Sequence, residues 1–329
     1  MSAAGEAFRR TDTRTWTVHY RPGSARLCCV LKPETSLRSA PADFPWTEDL
    51  QDVLTALVAD EVRDGPHLRI SYELGTSDRV VAALDPTSQH YAASTMKLPL
   101  VLAAYRLRDR GTLDLDSTVT VHNSFTSRTG GPFSIDPDED SDEEVWAALG
   151  TEVPLRWLCR RSIIRSSNLA TNLVADAVGF DAVAEVIADC NATGVEVVRG
   201  IEDYAAQRAG ISNVVTVSGL NRILLALADG TVAEASTCAE VLGILADNQV
   251  DTDIRPGLPP GTWVAHKNGW VSDGVLDAAL VRPGGAADPD GQFVFSVAIS
   301  GVWPNERAHE LIQRLAGTVW DRRSGSTVG

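Results

Sequence analysis

Ser94-Thr95-Met96-Lys97 lies between the strand-like Arg79-Val80-Val81-Ala82-Ala83-Leu84 and the apolar run Leu98-Pro99-Leu100-Val101-Leu102-Ala103-Ala104. An apolar run of that length following a short strand predicts a buried helix, with the serine and lysine on its opening turn. Residues three apart on a helix share a face, so the Lys97 amine can approach the Ser94 hydroxyl. The pair has the composition of a nucleophile beside its base.

The lysine is unusual for this chain. Of its 29 cationic residues only three are lysines, at positions 32, 97 and 267. Arginine stays charged in proteins, whereas lysine is tuned by burial and then acts as a base. Two of the three lysines fall inside the motifs described below.

Working outward, the 329 residues and 44% hydrophobic content allow a sizeable core in one large domain or two. The net charge of -15 argues against nucleic acid or an anionic membrane surface as the main partner. Arg9, Arg10 and Arg14 are followed by no apolar stretch of signal-peptide type, and no segment reads as a transmembrane span. Cys28, Cys29, Cys159, Cys190 and Cys238 are odd in number, scattered and without metal-ligand spacing. The expectation is a cytoplasmic protein with reduced thiols, no metal and no cofactor.

Residues 15–31 read as a β-hairpin turning at Arg21-Pro22-Gly23-Ser24, and 33–45 as a linker. Thr47 is placed to cap a helix carrying Leu50, Val53, Leu54 and Leu57. Strands are expected at 67–73 and 79–84, and helices at 155–158, 168–178, 180–189 and 217–228. Strand patterns follow around 262–270, 275–281 and 292–302, and a last helix covers 305–320. The acidic run 136–144 lacks the glycine and the terminal glutamate of a calcium loop and reads as a solvated loop.

Two further motifs follow Ser94 and Lys97 in order: Ser166-Ser167-Asn168 and Lys267-Asn268-Gly269. With Ala92-Ala93 before the first and Leu169-Ala170-Thr171-Asn172 after the second, the constellation resembles the signature elements of class A β-lactamases and penicillin-binding proteins. The likeness runs from about residue 47 to the C-terminus. It implies an α/β (α+β) fold of β-lactamase and transpeptidase type, with an antiparallel sheet flanked by helices plus a helical subdomain. The sheet part is expected at 47–90 and 215–329, the helical part at 91–214, and residues 1–46 form an extension.

The resemblance also implies roles. Ser94 forms an acyl-enzyme, Lys97 is its base, Ser166 relays a proton, and Lys267 supplies positive charge. Asn168 holds the substrate amide, Asn268 and Gly269 complete the third motif, and the backbone N–H groups of Ser94 and Trp270 form an oxyanion hole. The substrate is then a small amide, lactam or ester. Taken singly, Lys267 also fits a strand-end surface charge, Asn168 a helix cap and Ser166 a loop serine.

Three departures stand out. Ser167 replaces the family's usual aspartate, and Asn268 replaces the threonine or serine that helps hold a substrate carboxylate. The Glu-x-x-Leu-Asn pattern of the water-activating loop is missing, leaving Glu202 within Gly200-Ile201-Glu202-Asp203 as the nearest base or, equally, a helix-start charge. A cytoplasmic acyltransferase or peptidase of the same fold, and a non-catalytic penicillin-binding-like protein, are the alternatives.

Overall fold

The computed structural model describes residues 46–63 and 68–323. The hairpin, the linker, Cys28 and Cys29 lie outside the described residues.

The chain opens with α1 (Leu50–Val62), which buries Leu50, Leu54 and Val58 at helical spacing. Thr47 is not its side-chain cap: the hydroxyl donates to Asp49 Oδ1 at 2.6 Å, and Asp49 is the flanking residue. The hairpin β1 (Arg69–Gly75) and β2 (Val80–Leu84) follows, then the short β3 (His90–Tyr91). Ser94 sits on a single 3-10 turn, Ala93–Met96, that runs directly into α2 (Lys97–Asp109). Every residue of α2 from Lys97 to Tyr105 is buried, as an all-round apolar run requires.

A mostly helical middle continues through β4 (Thr118–Thr120), β5 (Phe125–Thr126), β6 (Pro132–Phe133), α3 (Glu143–Ala147), β7 (Glu152–Pro154), α4 (Leu155–Ile164), α5 (Asn168–Val178), α6 (Phe180–Asp189), α7 (Tyr204–Arg208) and β8 (Val214–Val215). Then come α8 (Val217–Ala228), α9 (Ala235–Ala246), the strands β9 (Trp263–Val271), β10 (Gly274–Arg282) and β11 (Phe293–Ser300), and α10 (Asn305–Asp321). Among the described residues no helix is long and apolar enough to cross a membrane.

The main sheet is antiparallel with strand order β2-β1-β11-β10-β9, so β9 is an edge. Helices cover both faces, which is why β10 reads as a nearly continuous apolar run instead of an alternating one. Leu276, Ala278 and Leu280 turn toward the cluster built by α2, α4, α5, α8 and α9. Val275, Ala279 and Val281 turn the other way, toward α1 and α10. The sheet is thus a wall shared by two apolar cores, and its β9 edge faces the 3-10 turn that carries Ser94.

The acidic run is not a solvated loop throughout. Asp142 is 1% exposed and receives Nε of Arg161 at 2.6 Å and a second guanidinium hydrogen bond. Asp140 Oδ2 accepts from the Leu169 backbone N–H at 2.8 Å and the Ser167 hydroxyl at 3.1 Å, at the N-terminus of α5. A carboxylate there complements the positive end of the helix dipole. The run is a structural seam between the loop and the second motif.

Candidate active site

Gly269 brings the first and third motifs together. A Cβ at that position would lie 2.5 Å from the Ser94 amide nitrogen, so only glycine lets β9 approach the turn that carries Ser94 this closely. The second motif enters from the α4–α5 junction, where Ser166 has φ +56°. Ala93 (φ +42°) and Glu202 (φ +62°) share this left-handed backbone, which side chains other than glycine rarely adopt. Three of the five such residues among those described therefore surround one site, the pattern expected where the fold over-determines a strained geometry for function.

Lys97 is the centre of the polar network. It is fully buried, and its Nζ donates to the Ser166 carbonyl at 2.5 Å, lies 3.2 Å from Ser166 Oγ and donates to Asn168 Oδ1 at 2.9 Å. Burial, reinforced by the nearby charge of Lys267, holds this amine well below the ordinary lysine range, against the opposing pull of Asp140 and Glu202. Asn168 extends the network: its Nδ2 donates to Glu202 Oε1 at 3.2 Å and to the Glu139 carbonyl at 3.0 Å.

Glu202 is thereby drawn into the site from a loop with no family pattern. It is 8% exposed, and its other oxygen accepts from the Asp136 N–H at 2.8 Å. Burial raises its pKa above the ordinary carboxylate range, opposed by these two hydrogen bonds. The loop is held from both sides. Asn172 on α5 accepts from Ile201 N–H at 2.8 Å and donates to its carbonyl at 2.9 Å. Asn213 accepts from Val198 and Arg199 N–H, and its Nδ2 donates to the Arg199 carbonyl and reaches Met96 Sδ at 3.0 Å, on the turn that carries Ser94. Phe133 closes over Gly200, where a Cβ would sit 3.0 Å from its ring. The 125–133 loop thus braces the Glu202 loop.

Lys267 is also fully buried. Burial depresses its pKa to about 7, with Asp277 and Asp253 opposing. Its Nζ donates to the Asn268 carbonyl at 2.6 Å, so its hydrogen bond is to its own strand and not to Ser166. Asn268 is fully buried on the opposite face of β9, where Nδ2 donates to Asp253 Oδ2 at 2.9 Å and Thr252 Oγ1 at 3.3 Å. Trp270 is 41% exposed at the end of the strand. A cleft of about 640 Å³ between α4 and α9 is lined by Trp157, Arg160, Asp247 and Trp263 among others and by none of the three motifs.

The sequence pattern anticipates the meeting of Ser94, Lys97, Ser166, Asn168, Gly269 and, in position, Glu202. It misses Asp140, Asn172, Asn213 and Asp253. These carry no motif, because each acts on residues 14 or more positions away or through backbone groups. Among the described residues no cluster of His, Cys, Asp or Glu is arranged to hold a metal ion.

The profile of the beta-lactamase enzyme family matches residues 49–322. The chain belongs to that family. Among solved structures it is similar to a β-lactamase from Sphaerobacter thermophilus, with 22% identity, TM-score 0.70, and coverage of 82% of this chain and 95% of that one. PBP-A matches at 21% identity and TM-score 0.68, covering 84% and 97%. An ancestral class A β-lactamase of Gram-negative bacteria matches at 20% and TM-score 0.68, covering 83% and 99%. These likenesses establish the shared fold. No curated protein sequence matches the chain.

Proposed function

We propose that this protein is a serine hydrolase that opens a lactam, amide or ester through an acyl-enzyme on Ser94. The observation that carries the reading is the buried Lys97 amine, joined through Ser166 and Asn168 to Glu202. Ser94 Oγ attacks the substrate carbonyl carbon while its proton passes to the neutral Lys97 amine, whose N–H groups remain on the Ser166 carbonyl and Asn168 Oδ1. The oxyanion forms beside the Ser94 and Trp270 backbone N–H groups. As the carbonyl–heteroatom bond breaks, the leaving nitrogen or oxygen takes a proton from Ser166 Oγ, which regains one from protonated Lys97. Glu202 then accepts a proton from water attacking the ester, and that proton passes through Lys97 to the departing Ser94 oxygen, leaving Glu202 ionised for the next cycle. A neighbouring structure, a PBP-A mutant, is described as an acyl-enzyme complex with penicillin G, and a β-lactam is accordingly the first substrate to try.

The test is intact-mass spectrometry after addition of a penicillin and a chromogenic cephalosporin, with wild type and Ser94→Ala in parallel. The wild type gains the mass of one β-lactam, transiently if Glu202 serves water, and the variant gains none. Equal labelling of both proteins would end the proposal.

Lys267 gives a pH signature. Its amine is cationic below about 7 and loses that charge as pH rises through this value. Acylation that draws on its charge therefore falls on the alkaline side of about 7. Lys267→Arg, which cannot be deprotonated, is expected to flatten that limb, as a pH profile of pre-steady-state acylation reads. An unchanged limb would detach Lys267 from it.

A further inference from the structure

The third motif differs from a carboxylate receptor in what its donors already hold. Asn268 is fully buried, and its Nδ2 hydrogens go to Asp253 Oδ2 at 2.9 Å and Thr252 Oγ1 at 3.3 Å. The Lys267 ammonium donates to the Asn268 carbonyl at 2.6 Å. The other basic side chains packed around this part of β9 are engaged as well. His309 Nδ1 meets Asp253 Oδ1 at 2.6 Å, His266 Nδ1 meets Asp277 Oδ1 at 3.1 Å, and Arg255 donates to the carbonyls of Ala246, Asn248 and Val264.

Asp253 and Asp277 are both fully buried behind the strand. Asp277 stands directly opposite Asn268 in the β9–β10 register and accepts from Ile254 N–H at 3.0 Å. A substrate carboxylate arriving at Asn268 would have to break the Asp253 bond to gain a donor, stranding a buried carboxylate oxygen beside its own. Removing one partner of a buried charged hydrogen bond is among the more costly local changes, and like charges brought together are a strong means of rejecting a partner.

We propose that Asp253, acting through Asn268, is a specificity-determining residue that makes this site select acyl donors carrying no anionic group beside the third motif. The inference rests on the Ser94 acyl-enzyme reading. Asp253 is a positioning residue: it sets which way the Asn268 amide points and therefore which substrates β9 accepts. The preferred donor is uncharged on its leaving side and is held by backbone hydrogen bonds along the unpaired edge of β9, not by ion pairing, so a penicillin, whose carboxylate lies on that side, acylates Ser94 slowly.

The test uses two thioesters with the same N-acylglycyl group, one of mercaptoacetic acid and one of mercaptoacetamide. Both give the same acyl-enzyme, so deacylation cancels, and the ratio of kcat/KM from released thiol reports the leaving side alone. Wild type is expected to favour the carboxamide at least tenfold, and Asp253→Asn to reduce that ratio to near one. Asp253→Thr, which removes the carboxylate and keeps a hydroxyl acceptor for the Asn268 amide, is a second route to a smaller ratio should the first variant fold poorly. A wild-type ratio at or below one overturns the proposal with no variant needed, and an unchanged ratio in well-folded variants overturns the role of Asp253. Ser94→Ala separates the two readings: if it releases thiol as fast as wild type, the acyl-enzyme reading itself has failed, and this one with it.

Discussion

With arginine in place of Lys97, acylation of Ser94 is expected to slow by about 10²–10⁴-fold, the usual span for losing a positioned general base. Arginine keeps a positive charge and can still donate toward the Ser166 carbonyl and Asn168 Oδ1, yet it has no lone pair to take the serine proton. The substitution therefore separates proton transfer from electrostatics. Burial already holds the Lys97 amine well below its ordinary range, which favours the neutral form that proton transfer needs. Rapid-quench intact mass reads acylation directly, with circular dichroism to confirm folding. A folded Lys97→Arg protein that acylates within tenfold of wild type would move the base elsewhere.

Glu202→Gln is expected to leave the first acylation measurable while the adduct persists, slowing hydrolysis of the acyl-enzyme by about 10²–10⁴-fold. The two oxygens of Glu202 both accept, one from Asp136 N–H and one from Asn168 Nδ2. Glutamine has only one acceptor oxygen, so one of these donors would face an N–H, and Asn168 would be disturbed with it. For that reason the informative quantity is the ratio of deacylation to acylation, not overall turnover. The wild-type pH profile carries the same information. A carboxyl whose pKa is raised by burial is protonated at higher pH than an ordinary glutamate, and protonated it cannot accept from water. Hydrolysis should therefore fail on the acid side at a higher pH than an ordinary glutamate would give. Equal decay of adduct in wild type and Glu202→Gln would remove Glu202 from the mechanism.

How far the sequence carries can be argued from these residues. The helix after Ser94 is legible because burial on all sides leaves a run with no polar face, and the α4–α5 junction because Ser166-Ser167-Asn168 interrupts two periodic segments. Helix α9 is not anticipated, although Thr237, Cys238, Val241, Leu242 and Leu245 have its spacing and are all buried. Asp140 and Asp142 have the local appearance of solvated acids, and nothing nearby in sequence names Leu169 or Arg161 as their partners. Ser167 shows the same limit. Its substitution for aspartate looks like a loss in one dimension, whereas in three a carboxylate from Asp140 stands at the helix end in its stead.

The shared sheet also draws this site from both ends of the described chain. Its strands β1 and β2 come from the start of the described chain and β9, β10 and β11 from its end, and Trp46 bridges to Arg323 across nearly the whole length. Ser94 and its helix can settle against α4, α5 and α6 through contacts of modest sequence separation. Gly269 reaches the Ser94 amide from the far end of the chain, and closing so long a loop carries an entropic cost before any contact rewards it. Ser94 and Lys97 thus sit where contacts are of modest sequence separation, while the strand laid against them is held by the pairing of distant segments.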